Sequence, residues 1–89
     1  MRAVVTVVGK DCVGILASVS AVCSECGVNI TDVTQSILRD MFVMIMMVEL
    51  ADRSALLADF SGRLQKMGKD KGLRIQVMHE DIFNTMYRI

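Results

Sequence analysis

Two cysteines and one histidine are the residues of the 89-residue chain that most readily suggest metal or redox chemistry. Cys23 and Cys26 have the C-x-x-C spacing of metal and redox pairs. They fall on the apolar side of a predicted helix, which favours two buried thiols that pack as small hydrophobic residues. A structural zinc would need further ligands, and only Cys12 and His79 are available, at positions expected to be distant. We predict no metal and no cofactor, and keep a metal or redox role for the cysteines as a third hypothesis.

Catalysis finds no support in the remaining polar residues. His79 has no serine or cysteine neighbour in a nucleophile setting, so we predict a strand-end residue. An acylphosphatase would need an arginine after the first strand, where Lys10 and Asp11 lie instead. An RNA-binding sheet would need aromatic residues on its first and third strands, and only Phe42 is present there. We therefore predict that the chain is not an enzyme.

A glycine-bracketed loop is the strongest candidate for binding. Gly9 and Gly14 enclose it, and a helix that begins after such a loop presents unpaired N–H groups and a partial positive charge, which suit a carboxylate or a phosphate. Asp11 is the predicted N-cap of that helix. The alternative is that both glycines only allow a tight joint between strand and helix. Neither a Gly-Lys-Ser/Thr ending nor a G-x-G-x-x-G pattern is present, which excludes the common nucleotide loops.

Length and charge limit the remaining classes. The chain is predicted to be a single domain, 1–89, with 80–89 as a C-terminal extension. Ten basic and ten acidic residues give no net charge, so we predict no nucleic-acid partner and no binding to a membrane surface. The longest apolar run, 41–48, is too short to span a bilayer, and no signal-peptide pattern precedes it. We expect a cytoplasmic protein.

Hydrophobic periodicity predicts the elements that position the loop. Strand one covers 2–8, with β-branched residues on both faces. Gly27 is the predicted C′ residue of the helix that follows the loop. Strand two, 29–39, has a change of parity near its middle that indicates a bulge or a bend, and a turn at 39–40 leads to strand three, 41–50. The helix between strands one and two carries the apolar residues Ile15, Leu16, Val19, Val22, Cys23 and Cys26.

The second half of the chain has a similar pattern. A second helix is predicted, with Asp52 or Ser54 as its cap and Gly72 at its end. The segment 68–72 is predicted to be a solvated exit loop. Asp59 and Arg63 are spaced to pair on its wet side. Strand four covers 73–78. The tail has apolar residues at helical spacing, which should pack against another apolar surface. The apolar side of the second helix consists of Leu56, Leu57, Phe60, Leu64 and Met67.

The order βαββαβ predicts the α+β ferredoxin-like sandwich, an antiparallel four-stranded sheet with two helices on one face. This fold hosts many functions. Strand three is apolar on both faces, so its second face needs cover. We predict a homodimer joined through sheet surface or strand edges. The alternative is that the tail folds back over this face.

The first third of the chain resembles the opening half of an ACT domain, the amino-acid-sensing module of metabolic regulation. Two motifs carry the resemblance: the loop as G-x-D-x-x-G-I-L, and the turn G-V-N-I at 27–30. It continues through QSILRDMFVMIMMVEL into the tail HEDIFNTMYRI, as in the short standalone ACT proteins of bacteria and archaea. The resemblance covers essentially the whole chain.

The resemblance implies a homodimer that holds a small amino acid near the first loop and the start of strand two. Loop residues would line the pocket through backbone amides, and strand two would face it. Asn29 can donate and accept hydrogen bonds, although it could equally be a turn residue after Gly27. The implied ligand-binding residues are Asp11, Cys12, Val13, Gly14, Ile15, Asn29 and Ile30.

The predicted function is therefore a regulatory module that senses an amino acid. The larger ACT proteins carry a catalytic or DNA-binding domain, and none is expected here, so regulation would act through a partner protein or through ligand-dependent assembly. The alternative function is a ligand-free interaction or oligomerisation module that acts on a partner protein.

Overall fold

The computed structural model of the chain describes residues 1–10, 14–51 and 53–86. Its elements follow the predicted βαββαβ order, and the tail adds a third, short helix. None of the helices in these ranges is long and apolar enough to cross a membrane. The elements are β1 (Arg2–Gly9), α1 (Ile15–Cys26), β2 (Asn29–Leu38), β3 (Met41–Glu49), α2 (Ser54–Lys71), β4 (Arg74–His79) and α3 (Glu80–Met86).

The sheet has the strand order β2-β3-β1-β4, and its three strand pairs are antiparallel. At one end Arg2 pairs with Glu49, which pairs with Asn29 on its other side. At the opposite end Gly9 pairs with Phe42, which pairs in turn with Ile37. We call these the Asn29 end and the Gly9 end. The register slips between Ile30 and Asp32, which confirms a bulge in β2, although it lies nearer the start of the strand than predicted.

The helix-covered face of the sheet carries the hydrophobic core. Phe60 and Leu64 of α2 and Val19 of α1 are fully buried against it, which confirms most of the predicted inner sides of both helices. The prediction is wrong at Leu16, which is 38% exposed. The even-numbered residues of β3 point to this face. Its core residues from the strands are Ala3, Val5, Val7, Phe42, Met44, Met46, Val48 and Ile75.

The open face is the opposite face of the sheet. Val4 is fully buried on this side, and α3 contacts both β1 and β4. The tail therefore does fold back, as the alternative predicted, but only over that half. Met41 and Ile45 of β3 remain 40% and 36% exposed.

The structure decides three local predictions for α2 and its flanks. The pair between Asp59 and Arg63 is confirmed at 3.2 Å. The predicted cap Ser54 is wrong, since Arg53 is the N-cap residue and no side chain caps the helix, while Asp52 lies outside the described residues. The predicted exit loop over 68–72 is also wrong, because α2 continues to Lys71 before Gly72 ends it.

Candidate ligand-binding site

Helix α1 begins with three amide groups that no helical bond satisfies. Gly14 is the N-cap residue, with φ 75°, so the prediction of Asp11 as N-cap is wrong. The N–H of Ser18 donates to the carbonyl of Gly14 at 3.0 Å and is the first helical bond, which leaves the N–H groups of residues 15–17 ahead of it. Among the described residues no side chain caps them. These donors and the helix dipole together suit an anionic group.

Gly9 and Gly14 serve different purposes. A Cβ at Gly9 would overlap Cδ2 of Leu73, the end of a flexible side chain, so this glycine marks close packing between β1 and the residue before β4. A Cβ at Gly14 would meet no atom of the described residues within 4 Å, but its φ of 75° is one that side chains rarely adopt. The tight-joint interpretation therefore explains Gly9, whereas the space beside Gly14 is open to a guest.

The structure describes only some of the predicted loop residues. Asp11, Cys12 and Val13 lie outside the described residues, so their role stays a prediction. Ile15 is only 2% exposed and belongs to the core, so it could reach a ligand through its backbone N–H alone.

Asn29 and Ile30 lie at the other end of the molecule. Gly27 ends α1 with φ 69°, and the N–H of Val28 donates to the carbonyl of Cys23 at 2.8 Å, which confirms the predicted C′ glycine. Asn29 is exposed as β2 begins, while Ile30 is half-buried against the core.

The structure does not bring Asn29 next to the loop within one chain. The reason is that α1 carries the chain back from the Gly9 end to the Asn29 end before β2 starts. The length of β1 separates the two ends, roughly 23 Å at about 3.3 Å per residue. One small ligand therefore cannot contact both Asn29 and the amides beside Gly14 of the same molecule.

A cavity that sequence reasoning missed lies on the open face. Its volume is about 300 Å³, and it opens between α3 and the sheet. Two signals in the sequence pointed toward it: the alternation of β4, which turns Gln76 away from the core, and the apolar tail that had to dock. The residues that line it are Thr6, Val8, Val43, Ile45, Gln76 and Phe83.

Cys23 and His79 lie at positions that packing and hydrogen bonding explain. Cys23 is 1% exposed, and burial, followed by the nearby Cys26 thiol, raises the pKa of its thiol. Within the described ranges no three His, Cys, Asp or Glu side chains are grouped so as to hold a metal ion. His79 ends β4 as predicted, and its Nδ1 accepts a hydrogen bond from the backbone N–H of Asp81 at 3.0 Å, where α3 begins.

Comparisons with known proteins agree with this architecture. The family model that matches residues 2–78 is that of an ACT domain. A UPF0237 protein from Methanopyrus kandleri is 42% identical over 88 residues, which cover 99% of this chain and 98% of that protein. An ACT domain protein from Streptococcus pneumoniae superposes with a TM-score of 0.80 at 34% identity and 98% coverage of both chains. A formyltetrahydrofolate deformylase from Burkholderia mallei has the same fold in 28% of its chain, with a TM-score of 0.74 at 9% identity over 89% of this one.

Proposed function

This chain belongs to the ACT domain family, whose members are regulatory small-molecule-binding modules, and from that premise we propose that it is a homodimer that binds an amino acid. The observation that carries the proposal is the uncapped start of α1 beside Gly14. Catalysis forms no part of the proposal, and the cytoplasmic location stays a prediction.

The carboxylate of the amino acid would bind at the start of α1. The N–H groups of Ile15, Leu16 and Ala17 come before the first hydrogen bond of the helix, and no side chain among the described residues caps them. Charge-assisted hydrogen bonds from backbone amides to a carboxylate are stronger than neutral ones. The absence of a Cβ at Gly14 lets the ligand approach this backbone closely.

Asn29 of a second copy would complete the site. Strand β2 lies at the edge of the sheet, so the outer backbone groups along it are available for pairing. When two such edges pair antiparallel about a two-fold axis, Asn29 of one copy comes to the Leu38 end of the other. That is the Gly9 end, where α1 starts, and α1 contacts β2 of its own chain. The association would also cover Ile37 and Leu38, which are 69% and 71% exposed.

Thermal melting against a panel of the common amino acids tests this function. A ligand at a hundredfold excess over its Kd stabilises the folded state by about 2.7 kcal/mol, which raises Tm by roughly ten degrees or more in a domain of this size. We expect one amino acid, or a few related ones, to produce a concentration-dependent rise.

The proposed site has two halves, the start of α1 beside Gly14 in one copy and Asn29 in the other. Variants of these two half-sites make the same experiment more specific. Gly14→Leu and Asn29→Ala should each abolish the rise, whereas Lys66→Ala, on the exposed side of α2, should leave it intact. Light scattering should report a dimer. A flat panel, or an unchanged response in both half-site variants, would refute the proposal.

The second candidate function is an interaction module without a ligand. It is favoured by the same exposed Ile37 and Leu38 beside the turn between β2 and β3, which another protein could cover instead of a second copy. Copurification of a stoichiometric partner, together with a melting curve that no amino acid shifts, would support this function over the first.

A further inference from the structure

We propose that the cavity on the open face is a second ligand site, independent of the one beside Gly14, for a small apolar monocarboxylate that lacks an amino group. Its volume of about 300 Å³ is at the small end of the range for ligand sites, so the occupant is a small molecule rather than a peptide.

The apolar part of the cavity would hold the body of the ligand. Val8, Val43 and Ile45 form its floor on neighbouring strands, and Phe83 of α3 forms one wall. All four side chains are half-buried or partly exposed, so contact surface remains for a guest. An aromatic ring is a good match, because Phe83 can pack against it face to edge.

Polar side chains also line or flank the cavity. Thr6 and Gln76 are direct partners across β1 and β4, and both side chains line the cavity. Arg74 is not a lining residue, but it lies two residues before Gln76 on the same face of β4, opposite Val8, which does line the cavity. None of the three side chains has a hydrogen bond or an ion pair with another described residue. An unpaired guanidinium beside two polar groups suits a carboxylate.

The charges around the cavity argue against an amino acid. Among the described residues that line it, none has an acidic side chain. Glu80 of α3 already pairs with Arg2 at 3.7 Å. Asp32 lies opposite Met47 on β2, three strands away from β4. An ammonium group would therefore enter without a counter-charge beside Arg74, and the cavity should select against it.

Three probes with one skeleton test the proposal: 3-phenylpropionate, L-phenylalanine, which adds an ammonium group, and 3-phenylpropionamide, which removes the charge. Each is titrated into the full chain while backbone amide shifts are recorded by NMR. We expect saturable binding of 3-phenylpropionate, with the shifted amides in residues 4–8, 43–45 and 74–78. Both other probes should bind at least tenfold more weakly.

Variants separate this site from the one beside Gly14. Arg74→Gln should weaken 3-phenylpropionate on the order of tenfold, the size expected for one charge-assisted hydrogen bond, and should leave 3-phenylpropionamide unchanged. Lys66→Gln removes the same charge from a distant exposed position and should change neither. Gly14→Leu should also leave both affinities unchanged, whether or not the amino-acid proposal holds.

Several results would overturn the proposal. They are shifts confined to residues 14–18, equal affinity for L-phenylalanine, and an unaltered affinity in Arg74→Gln. Absence of saturable binding would also overturn it, because it would mean that the open face is covered by a second copy or is not a site.

Discussion

The two faces of the sheet are built from similar side chains, but these side chains are covered to different extents. Along β3, Phe42, Met44, Met46 and Val48 are at most 5% exposed, whereas the alternating Met41 and Ile45 are 40% and 36% exposed. The difference lies in what covers them: helices of 12 and 18 residues on one face and a helix of 7 residues on part of the other. One face is therefore closed by its own chain, and the other keeps room for a ligand or a second molecule.

A matched pair of aromatic truncations gives the largest expected contrast between the faces. Phe60 is fully buried in the core, so Phe60→Ala should lower the free energy of unfolding by about 3–5 kcal/mol. Phe83 is only half-buried on the open face, so Phe83→Ala should cost about 1 kcal/mol. Urea unfolding measures both. Equal losses would mean that α3 closes the open face as tightly as α1 and α2 close the other.

Glycine substitutions give a smaller contrast, at the edge of the closed face. A methyl group at Gly9 must displace Cδ2 of Leu73, the end of a flexible but buried side chain, so Gly9→Ala should destabilise by about 1 kcal/mol. Gly62 lies in α2 with open space around it, so Gly62→Ala should stabilise by up to about 1 kcal/mol. Thermal melting distinguishes the signs. A neutral Gly9→Ala would contradict the close packing of Leu73 at this edge.

The smallest effect concerns a titrating group within the closed face. Burial raises the pKa of the Cys23 thiol, so its neutral form is favoured in the folded state. This contribution to stability is complete below the pKa of the unfolded thiol, about 9.0, and is lost as pH rises through the folded value. Urea unfolding across pH 7–10.5 should therefore show a decline at the alkaline end that Cys23→Val lacks. An identical decline in both proteins would argue against the burial of this thiol.

Local patterns were sufficient for most of the fold. The alternation of apolar residues predicted the strands and the order of elements. A change of parity predicted a bulge in β2, although near the middle of the strand rather than near Thr31, where it lies. Local patterns failed where the structure of a segment depends on contacts with residues distant in the sequence. Gly68 suggested a loop, but a side chain there would crowd Leu73 and Ile75, so glycine is needed for the helix to pack on the sheet. The cavity likewise depends on where α3 docks.

The candidate site was harder to predict than the fold. The motifs pointed to the loop and to Asn29. Gly14, at the end of that loop, and Asn29 are both exposed at the ends of elements. Their separation depends on the path of α1 and on strand register, which motif spacing alone does not reveal. The structure thus places Gly14 and Asn29, which were expected at one site, at opposite ends of the sheet.

Complementation between two inactive variants tests this account most directly. Chains carrying Gly14→Leu and chains carrying Asn29→Ala are unfolded together and refolded as a mixture. The melting response to the amino acid found in the panel is then measured. In a mixed dimer, the intact Gly14 of one chain meets the intact Asn29 of the other, so one of the two sites is restored.

The account predicts that each variant alone is unresponsive and that the mixture regains a response smaller than that of the unmodified protein. Mass spectrometry of the intact dimers would confirm that mixed dimers have formed. If mixed dimers are present and the mixture stays unresponsive, the two half-sites do not act across two copies, and the central claim is wrong.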